Sequence, residues 1–225
     1  MQAVILAGGK GTRMRPLTDM MPKPLVPFRG RPLIEHVFER LPAEVDEVVV
    51  VVKYRGEQLR AHVGDVFAGK RVRYVEQGLP DGTGGALCAA REILDERFLV
   101  LNADDLHERA ALTRLLAHRY GLLAATSETP ERYGVLVLRE DGTLVGIDEK
   151  PDVPASNLVN TGAMMLDRAV FSCEAPIVTG ELRLTDLVVA LAAEHPVWVE
   201  VEEGWQSVGS PEDITQHVAA LGGKK

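Results

Sequence analysis

The residues with the clearest chemical potential follow the first short apolar run. Residues 6–15 read LAGGKGTRMR, so three glycines precede a threonine and two arginines. Glycines let the backbone approach a ligand closely, and successive free N–H groups form concavities that bind phosphate oxygens. Residues 8–31 carry six basic side chains and one acidic one, in a chain of net charge −8. This local excess of positive charge favours a polyanion site over a plain glycine-rich turn.

Two common phosphate-binding motifs do not fit this loop. The dinucleotide fingerprint G-x-G-x-x-G fails from Gly9, because Met14 stands at the third glycine, and from Gly8, because Lys10 stands at the second. The P-loop requires Ser or Thr after Gly-Lys, and Gly11 follows Lys10. The sequence therefore predicts an anion site of another kind.

The composition limits the possible classes of protein. The 225 residues are 46% apolar, which suffices for a full core, and the net charge of −8 argues against a general binder of nucleic acid or anionic membrane. The two cysteines form no disulfide framework, and the six histidines have no metal-ligand spacing and are expected at the surface or in packing. We find no signal-peptide pattern and no apolar run of the ~20 residues that a membrane helix needs. These features predict a cytoplasmic protein.

Apolar runs alternate with amphipathic stretches in the first half. The predicted strands are 2–7, 47–52, 71–75 and 98–101, and helical spacing of apolar residues predicts helices over 33–41, 86–94 and 109–119. Valine-rich runs suit strands buried on both faces of a parallel sheet. The pattern predicts an α/β fold with a doubly wound, mostly parallel, Rossmann-like sheet and helices on both faces. Ligands of such sheets lie beyond the carboxyl ends of the strands, where the glycine-rich loop and Asp104 are expected to meet.

The pattern changes near residue 120. We predict strands over 122–126, 135–138, 144–147, 160–166 and 197–201, a hairpin turn at Asp141-Gly142, and a helix over 182–193. A final helix is predicted from Pro211 to Leu221 with Ser210 as its N-cap. With no linker or repeat, we expect one domain over 1–221, a nucleotide-binding half (about 1–119) and an acceptor-binding half (about 120–221), and a tail at 222–225.

Two motifs together resemble those of a known family. Residues 8–18 read GGKGTRMRPLT and residues 22–27 read PKPLVP. The pair is similar to the motifs of the sugar-1-phosphate nucleotidylyltransferases, also called NDP-sugar pyrophosphorylases. Later segments extend the resemblance over almost the whole chain. It implies an enzyme that condenses a nucleoside triphosphate with a sugar 1-phosphate to give an NDP-sugar and pyrophosphate.

The resemblance also implies which residues bind the nucleotide. Arg13 matches the loop arginine that contacts the triphosphate, and Lys23 lies between prolines that hold the backbone extended, so its ammonium is presented from a stiff segment. Residues 76–87 resemble the base-recognition segment, in which the Gln77 amide offers a donor and an acceptor to a base edge. The implied nucleotide-binding residues are Leu6, Ala7, Gly8, Gly9, Gly11, Thr12, Arg13, Gln77, Gly82 and Thr83, and the implied catalytic residues are Arg13, Lys23 and Asp104.

The implied cofactor is Mg²⁺. Asp104 aligns with the family's metal-binding aspartate, and Mg²⁺ favours one or two carboxylates supplemented by waters and substrate phosphates. An alternative is that Asp104 or Asp105 caps the helix predicted after them. The segment 204–213 resembles the one that carries the second metal-binding aspartate in many members, but Ser207 stands at that position. We therefore expect weak metal affinity, with Asp105 as a further possible ligand.

Glu149-Lys150-Pro151 matches the family's sugar-binding tripeptide, in which Glu binds sugar hydroxyls and Lys binds the sugar phosphate. The stretches around Gly134 and around Asn160-Thr161 match two further sugar-contact segments. The implied sugar-phosphate site is Lys23, Gly134, Glu149, Lys150, Asn160 and Thr161.

Two alternatives to this activity remain open. One is transfer of CMP to a phosphorylated alcohol, and the other is a regulator that binds nucleotide sugars without catalysis, which Ser207 would favour. The run Gly82–Ala86 resembles that of guanylyl- and uridylyl-transferring members, and this resemblance slightly favours guanylyl or uridylyl transfer. The expected partners are the two substrates, with no nucleic acid and no membrane, in a monomer or small homo-oligomer.

Overall fold

The computed structural model describes residues 1–215. The α-helices that lie wholly within this range are α1 Leu33–Arg40, α2 Gly56–Val63, α3 Gly82–Ala89, α4 Arg109–Leu115 and α5 Leu184–Glu194. The strands of the same range are β1 Gln2–Leu6, β2 Pro27–Phe28, β3 Arg31–Pro32, β4 Glu47–Val52, β5 Val66–Phe67, β6 Lys70–Glu76, β7 Arg97–Asn102, β8 Asp105–Leu106, β9 Gly121–Thr126, β10 Gly134–Leu138, β11 Leu144–Glu149, β12 Leu158–Asp167, β13 Ile177–Val178, β14 Glu181–Leu182, β15 Trp198–Val201 and β16 Gln206–Ser207.

Four parallel strands form the centre of the main sheet, in the order β6, β4, β1, β7. Val4 of β1 lies opposite Val49 of β4 on one side and Val100 of β7 on the other. Every residue of β1 and β4 is buried. This confirms the expectation that uninterrupted apolar runs mark strands covered on both faces.

Successive side chains of these strands enter two different apolar cores, because neighbouring residues of a strand point to opposite faces. Ile5 and Val50 belong to the core shared with α1, α2 and α4. Val4 and Val49 belong to the core shared with α3 and α5. Helices therefore cover both faces of the sheet, as the doubly wound pattern predicts.

The second half adds antiparallel strands to this parallel centre. β12 runs antiparallel to β7, and its other edge pairs with β9. Its first residues pair with β10, which forms the predicted hairpin with β11 around Gly142. Between Asn160 and Met164 the pairing with β9 shifts in register, and Gly162 has a φ of +85°. A side chain at Gly162 would collide with Asn102, so this bend requires glycine.

Several predicted boundaries need correction. The helix predicted over 86–94 begins earlier, at Gly82, and ends at Ala89, before a 3₁₀ turn. Leu182 lies in β14 rather than in α5. Helix α2 was not predicted, because Leu59 and Val63 are the only large apolar side chains that it buries.

The chain end is described only as far as the first residues of the last predicted helix. Pro211–Thr215 are helical, and the Asp213 N–H donates to Ser210 Oγ at 3.3 Å, as expected for an N-cap. The remainder of the predicted helix and the predicted tail lie outside the described residues. Within residues 1–215, no helix has the length and apolar character needed to cross a bilayer.

Candidate active site

A cleft opens beyond the carboxyl ends of β1 and β7, where the doubly wound topology predicts a ligand site. It has two connected parts. The first, which we call the nucleotide lobe, has a volume of about 510 Å³, and the second, which we call the acceptor lobe, has a volume of about 670 Å³. The lobes share one wall, which is formed by Arg13, Gly82, Thr83, Asn102, Asp104, Glu181 and Gly209.

The structure brings the sequence-predicted residues together in these two lobes. The nucleotide lobe is lined by all ten residues predicted to bind the nucleotide, and also by Lys23 and Asp104. The acceptor lobe is lined by the other five predicted sugar-phosphate residues, and by Asp104, Asp105 and Ser207. Lys23, which was predicted to contact both ligands, lines only the nucleotide lobe, and three residues predicted to bind the nucleotide line both lobes, namely Arg13, Gly82 and Thr83.

The conformation of the glycine-rich loop depends on close contacts at Gly11, which leave no room for a side chain there. Gly11 adopts a φ of +61°, and a Cβ there would lie 2.9 Å from Thr18 Cγ2 and 3.1 Å from Lys23 Cβ. The Thr18 hydroxyl donates to the Gly11 carbonyl at 2.8 Å, and Met14 is fully buried beneath the loop. A Cβ at Gly9, by contrast, would meet no atom within 4 Å. The loop is therefore anchored at its far end, while Gly9 faces open space.

Lys23 forms an ion pair with Asp104 across the floor of the cleft. Lys23 lies in a 3₁₀ turn between the buried Pro22 and Pro24, and its side chain is 13% exposed. The Asp104 side chain is 30% exposed. Helix α4 begins at Arg109 with Glu108 at its N-cap position, so neither Asp104 nor Asp105 caps it. Asp104 is left as an accessible carboxylate in the wall between the lobes.

Asp105 lines the acceptor lobe but is almost fully buried. Its two oxygens accept hydrogen bonds from Asn102 Nδ2 at 3.0 Å and from Trp205 Nε1 at 3.2 Å. Burial, reinforced by the charge of Asp104, raises the pKa of Asp105 to about 6. Ser207 lies opposite Asp105 in the pairing of β16 with β8, so the two residues that sequence analysis considered as further metal ligands are neighbours.

The far end of the nucleotide lobe contains Gln77 and two residues that sequence analysis missed. Gln77 is 8% exposed, and its Nε2 donates to the Gly82 carbonyl at 2.9 Å. A side chain at Gly85 would collide with the Pro80 carbonyl, so the tight turn before α3 requires glycine there. Lys53 and Asp81 form an ion pair that lines the same end. Lys53 directly follows β4, and its place at the end of a parallel strand was a signal that could have identified it.

The acceptor lobe is built from side chains of the antiparallel strands. Glu149 ends β11 opposite Gly134 of β10, and a side chain at Gly134 would approach Glu149 Oε2 to 3.2 Å. Lys150 follows with a φ of +50°, and its Nζ lies 3.6 Å from Glu149 Oε1. Asn160 Oδ1 accepts a hydrogen bond from the Gly162 N–H at 3.1 Å, which orients the amide beside the bend of β12.

Thr161 differs from the expectation for a sugar contact. Its side chain is turned into the interior, where Thr161 Oγ1 lies 2.9 Å from the Leu123 carbonyl and 3.0 Å from Glu202 Oε1. Glu202 also lies 2.7 Å from Nδ1 of the buried His107. Only the Thr161 backbone is therefore positioned to meet a ligand, and its hydroxyl supports the floor of the lobe.

Sequence analysis also missed basic residues of the acceptor lobe. Arg132 and Arg183 line it, and Arg132 Nη2 donates to Asp213 Oδ1 at 3.3 Å. The other Asp213 oxygen accepts from the N–H groups of Gly209 and Ser210, both at 2.8 Å. These bonds fix the Gly209 segment against the shared wall, next to Arg13.

The charge pattern indicates what the cleft can bind. Arg13, Lys23 and Lys150 offer cationic donors to phosphate groups, and Asp104 offers one carboxylate to a cation. Among residues 1–215, no cluster of three or more His, Cys, Asp or Glu side chains is arranged to hold a metal ion. The site therefore suits two phosphorylated ligands whose phosphates approach each other at the shared wall.

Known proteins are similar to this chain in sequence and in fold. One relative is the Bifunctional protein GlmU of Methanocaldococcus jannaschii, 36% identical over 221 residues that span 96% of this chain and 53% of the relative. The chain thus covers about half the length of that protein. Another is the UTP--glucose-1-phosphate uridylyltransferase AglF of Haloferax volcanii, 32% identical across 95% of this chain and 93% of the relative.

A solved structure of a UDP-glucose pyrophosphorylase complexed with UDP-glucose superimposes with a TM-score of 0.87 at 21% identity, covering 100% of this chain and 99% of that one. This likeness confirms the mostly parallel, Rossmann-like fold. The sequence model of the nucleotidyl transferase family matches residues 2–222. Because this match includes every residue that lines the cleft, the chain belongs to the nucleotidyl transferase family.

Proposed function

We propose that the protein condenses a nucleoside triphosphate with a sugar 1-phosphate, giving an NDP-sugar and pyrophosphate. The observation that carries this proposal is the wall shared by the two lobes, which places Arg13 and Asp104 in contact with both spaces. The geometry suits two ligands that meet through their phosphates. The glucose 1-phosphate in the name of the Haloferax relative supports the same class of acceptor.

In this proposal, residues 1–119 bind the triphosphate. The N–H groups of the glycine-rich loop would bind phosphate oxygens, while Arg13 and Lys23 neutralise their charge. Residues 120–221 bind the sugar phosphate, with Glu149 accepting hydrogen bonds from hydroxyls and Lys150 pairing with the phosphate. Both halves share one continuous sheet through the pairing of β7 with β12, which favours a single domain.

The reaction is a displacement at phosphorus. An oxygen of the sugar phosphate forms a bond to the α-phosphorus of the triphosphate, the bond from that phosphorus to the bridging oxygen breaks, and pyrophosphate leaves with the electron pair. The attacking oxygen is already ionised, so no general base is required. The protein contributes alignment of the two anions and preorganised donors for the charge that develops on the α-phosphoryl oxygens, which are the roles we assign to Arg13 and Lys23.

The residues around Asp104 fit a Mg²⁺ ion. Asp104 is the accessible carboxylate of the wall, and Mg²⁺ commonly takes one or two protein carboxylates and completes its octahedron with waters and phosphates. Asp104 would hold the ion, and Ser207 is a weaker neutral neighbour. A bound Mg²⁺ would neutralise phosphate charge. Lys23, which pairs with Asp104 in this structure, would then be available to pair with a phosphate oxygen.

A matrix of triphosphates and sugar 1-phosphates, with pyrophosphate release as the readout, tests this proposal. We expect release with at least one pair, and loss of it in Arg13→Ala. Arg15→Ala is the matched control, because Arg15 is exposed, pairs with Asp19 and does not line the cleft. Phosphocholine with CTP tests the alternative acceptor. Binding of nucleotide sugars without release from any pair would show a regulator instead.

The proposal includes a cytoplasmic location, where nucleoside triphosphates are available, and a monomer or small homo-oligomer. No nucleic acid and no membrane is part of it.

A further inference from the structure

The far end of the nucleotide lobe holds a charged pair that phosphate binding does not require. Lys53 follows the carboxyl end of β4, and Asp81 precedes the first residue of α3. Their side chains are 37% and 48% exposed, and both line the lobe. The backbone of Asp81 is fixed, because its N–H donates to the Gly180 carbonyl at 3.0 Å and its carbonyl accepts from Leu182 at 2.8 Å. The carboxylate is therefore held at a defined place on the lobe.

Gln77 adds an acceptor beside this pair. Its Nε2 is committed to the Gly82 carbonyl, so Oε1 is the amide atom left for a ligand. Among residues 1–215, no donor forms a hydrogen bond to this oxygen, which lies against Gly8 of the glycine-rich loop. A base whose phosphates lie on the loop would reach Gln77 Oε1 and the Lys53–Asp81 pair.

These three groups offer one kind of donor and two acceptors. Asp81 uses Oδ1 for Lys53, and its Oδ2 remains free to accept. The Lys53 ammonium has three donors, so two remain when it pairs with Asp81. The lobe thus offers a cationic donor, an anionic acceptor and a neutral acceptor without breaking the ion pair.

Guanine is the base whose edge complements this set. Its O6 accepts, and its N1–H and 2-amino group both donate. Lysine is a known partner for guanine O6, and carboxylates accept from base amino groups. Uracil and cytosine each have two acceptors and one donor on this edge, so one of their acceptors would face an acceptor of the protein. Adenine lacks both the oxo group and the second donor.

We propose that Lys53 and Asp81, with Gln77, select guanine, so that the nucleotide substrate is GTP. The inference rests on the proposed function in that a nucleoside triphosphate is taken to bind this lobe. Hydrogen bonds with one charged partner are stronger than neutral ones, so the pair dominates the selection.

Calorimetric titration with GTP, ITP, UTP, ATP and CTP in the presence of Mg²⁺ tests the inference directly. ITP lacks only the 2-amino group of GTP. We expect GTP to bind about tenfold or more tightly than ITP, since a hydrogen bond to a charged acceptor is lost, and more tightly than UTP, ATP and CTP. Equal affinity for GTP and ITP, or tighter binding of UTP, would overturn the inference.

Variants separate base reading from a structural role of the ion pair. Asp81→Ala is expected to bring the affinity for GTP close to that for ITP. The matched control Asp65→Ala removes an exposed carboxylate that does not line the lobe and keeps the GTP preference. The double variant Lys53→Asp, Asp81→Lys keeps an ion pair but exchanges donor and acceptor. Loss of the GTP preference in this variant supports base reading, and an unchanged ratio of GTP to ITP affinity refutes it.

Pyrophosphate release distinguishes failure of this inference from failure of the proposed function. Selective GTP binding without release from any sugar 1-phosphate would reject the proposed reaction and leave the base assignment standing. Release that is fastest with UTP would support the reaction and reject the base assignment. Absence of binding by every triphosphate would reject both.

Discussion

The two lobes of the cleft are built in different ways. The nucleotide lobe lies at the ends of parallel strands, and much of its surface is backbone made accessible by glycines, whose replacement the neighbouring atoms disfavour at Gly11 and Gly82. The acceptor lobe lies on antiparallel strands and presents side chains such as Glu149 and Asn160. The backbone of the glycine-rich loop recognises the phosphates that all triphosphates share, apart from the base-reading side chains at the far end of the same lobe, whereas the side-chain surface of the acceptor lobe can change with the acceptor. We therefore expect substitutions in the first lobe to affect the reaction broadly and those in the second to affect the acceptor selectively.

The largest effect is expected at Lys23, which pairs with Asp104 of the shared wall. Lys23→Ala removes a preorganised phosphate donor and leaves Asp104 without its partner, so turnover is expected to fall by about 10²-fold or more. Steady-state pyrophosphate release measures it. Near-normal turnover would show that Lys23 has no catalytic role, and Arg15→Ala should behave as the unmodified protein.

Gly11→Ala tests the backbone character of the nucleotide lobe. The φ of +61° and the contacts with Thr18 and Lys23 disfavour a side chain, at a cost of about 1–3 kcal/mol for a strained backbone position. We expect weaker triphosphate binding by calorimetry and a lower midpoint of thermal unfolding. Gly146→Ala in β11 is the control, because a Cβ there meets no atom within 4 Å and no positive φ is required. Equal behaviour of the two variants would contradict the contrast between the lobes.

Glu149→Gln tests the selectivity of the acceptor lobe. Loss of the charge on a hydroxyl acceptor is expected to raise KM for the sugar 1-phosphate about tenfold, the range of one hydrogen bond to a charged group, with KM for the triphosphate unchanged. Asp148→Asn is the matched control, since the neighbouring side chain is exposed and does not line the lobe. A similar rise in both KM values would show that Glu149 does not act on the sugar 1-phosphate alone, which would contradict the separation of the two lobes.

The smallest effect is expected at Ser207. Ser207→Asp adds a carboxylate near Asp104 and should lower the Mg²⁺ concentration needed for half-maximal activity, because carboxylates are better Mg²⁺ ligands than hydroxyls. Ser207→Ala should leave that concentration nearly unchanged. If metal titrations of activity coincide for Ser207→Asp and the unmodified protein, the position does not reach the metal.

The sequence was sufficient for the central sheet and for the glycine-rich part of the cleft lining. The valine run of β4 could be recognised because burial on both faces restricts a strand to apolar residues. The loop after β1 could be recognised because a phosphate-binding loop requires glycines and basic residues. Lys53 and Asp81 were not identified, because their pairing joins two loops 28 residues apart. Lys53 belongs to no motif, and Asp81 lies in the base-recognition segment without a role that the segment alone would indicate. The inward turn of Thr161 could not be predicted either, since it depends on the buried Glu202 from a distant strand end.

The ion pair between Lys23 and Asp104 affects whether the unliganded protein binds the free nucleotide or its complex with a divalent cation more readily. An incoming polyanion that attracts the Lys23 ammonium leaves the Asp104 carboxylate without a partner, next to the negative charges of the polyanion. The repulsion between these like charges opposes entry of the polyanion. A ligand that arrives already complexed with a divalent cation brings a replacement counter-charge, so both members of the pair exchange partners and neither is stranded. By thermodynamic linkage, the nucleotide and the cation should then each strengthen the other's affinity by the same factor.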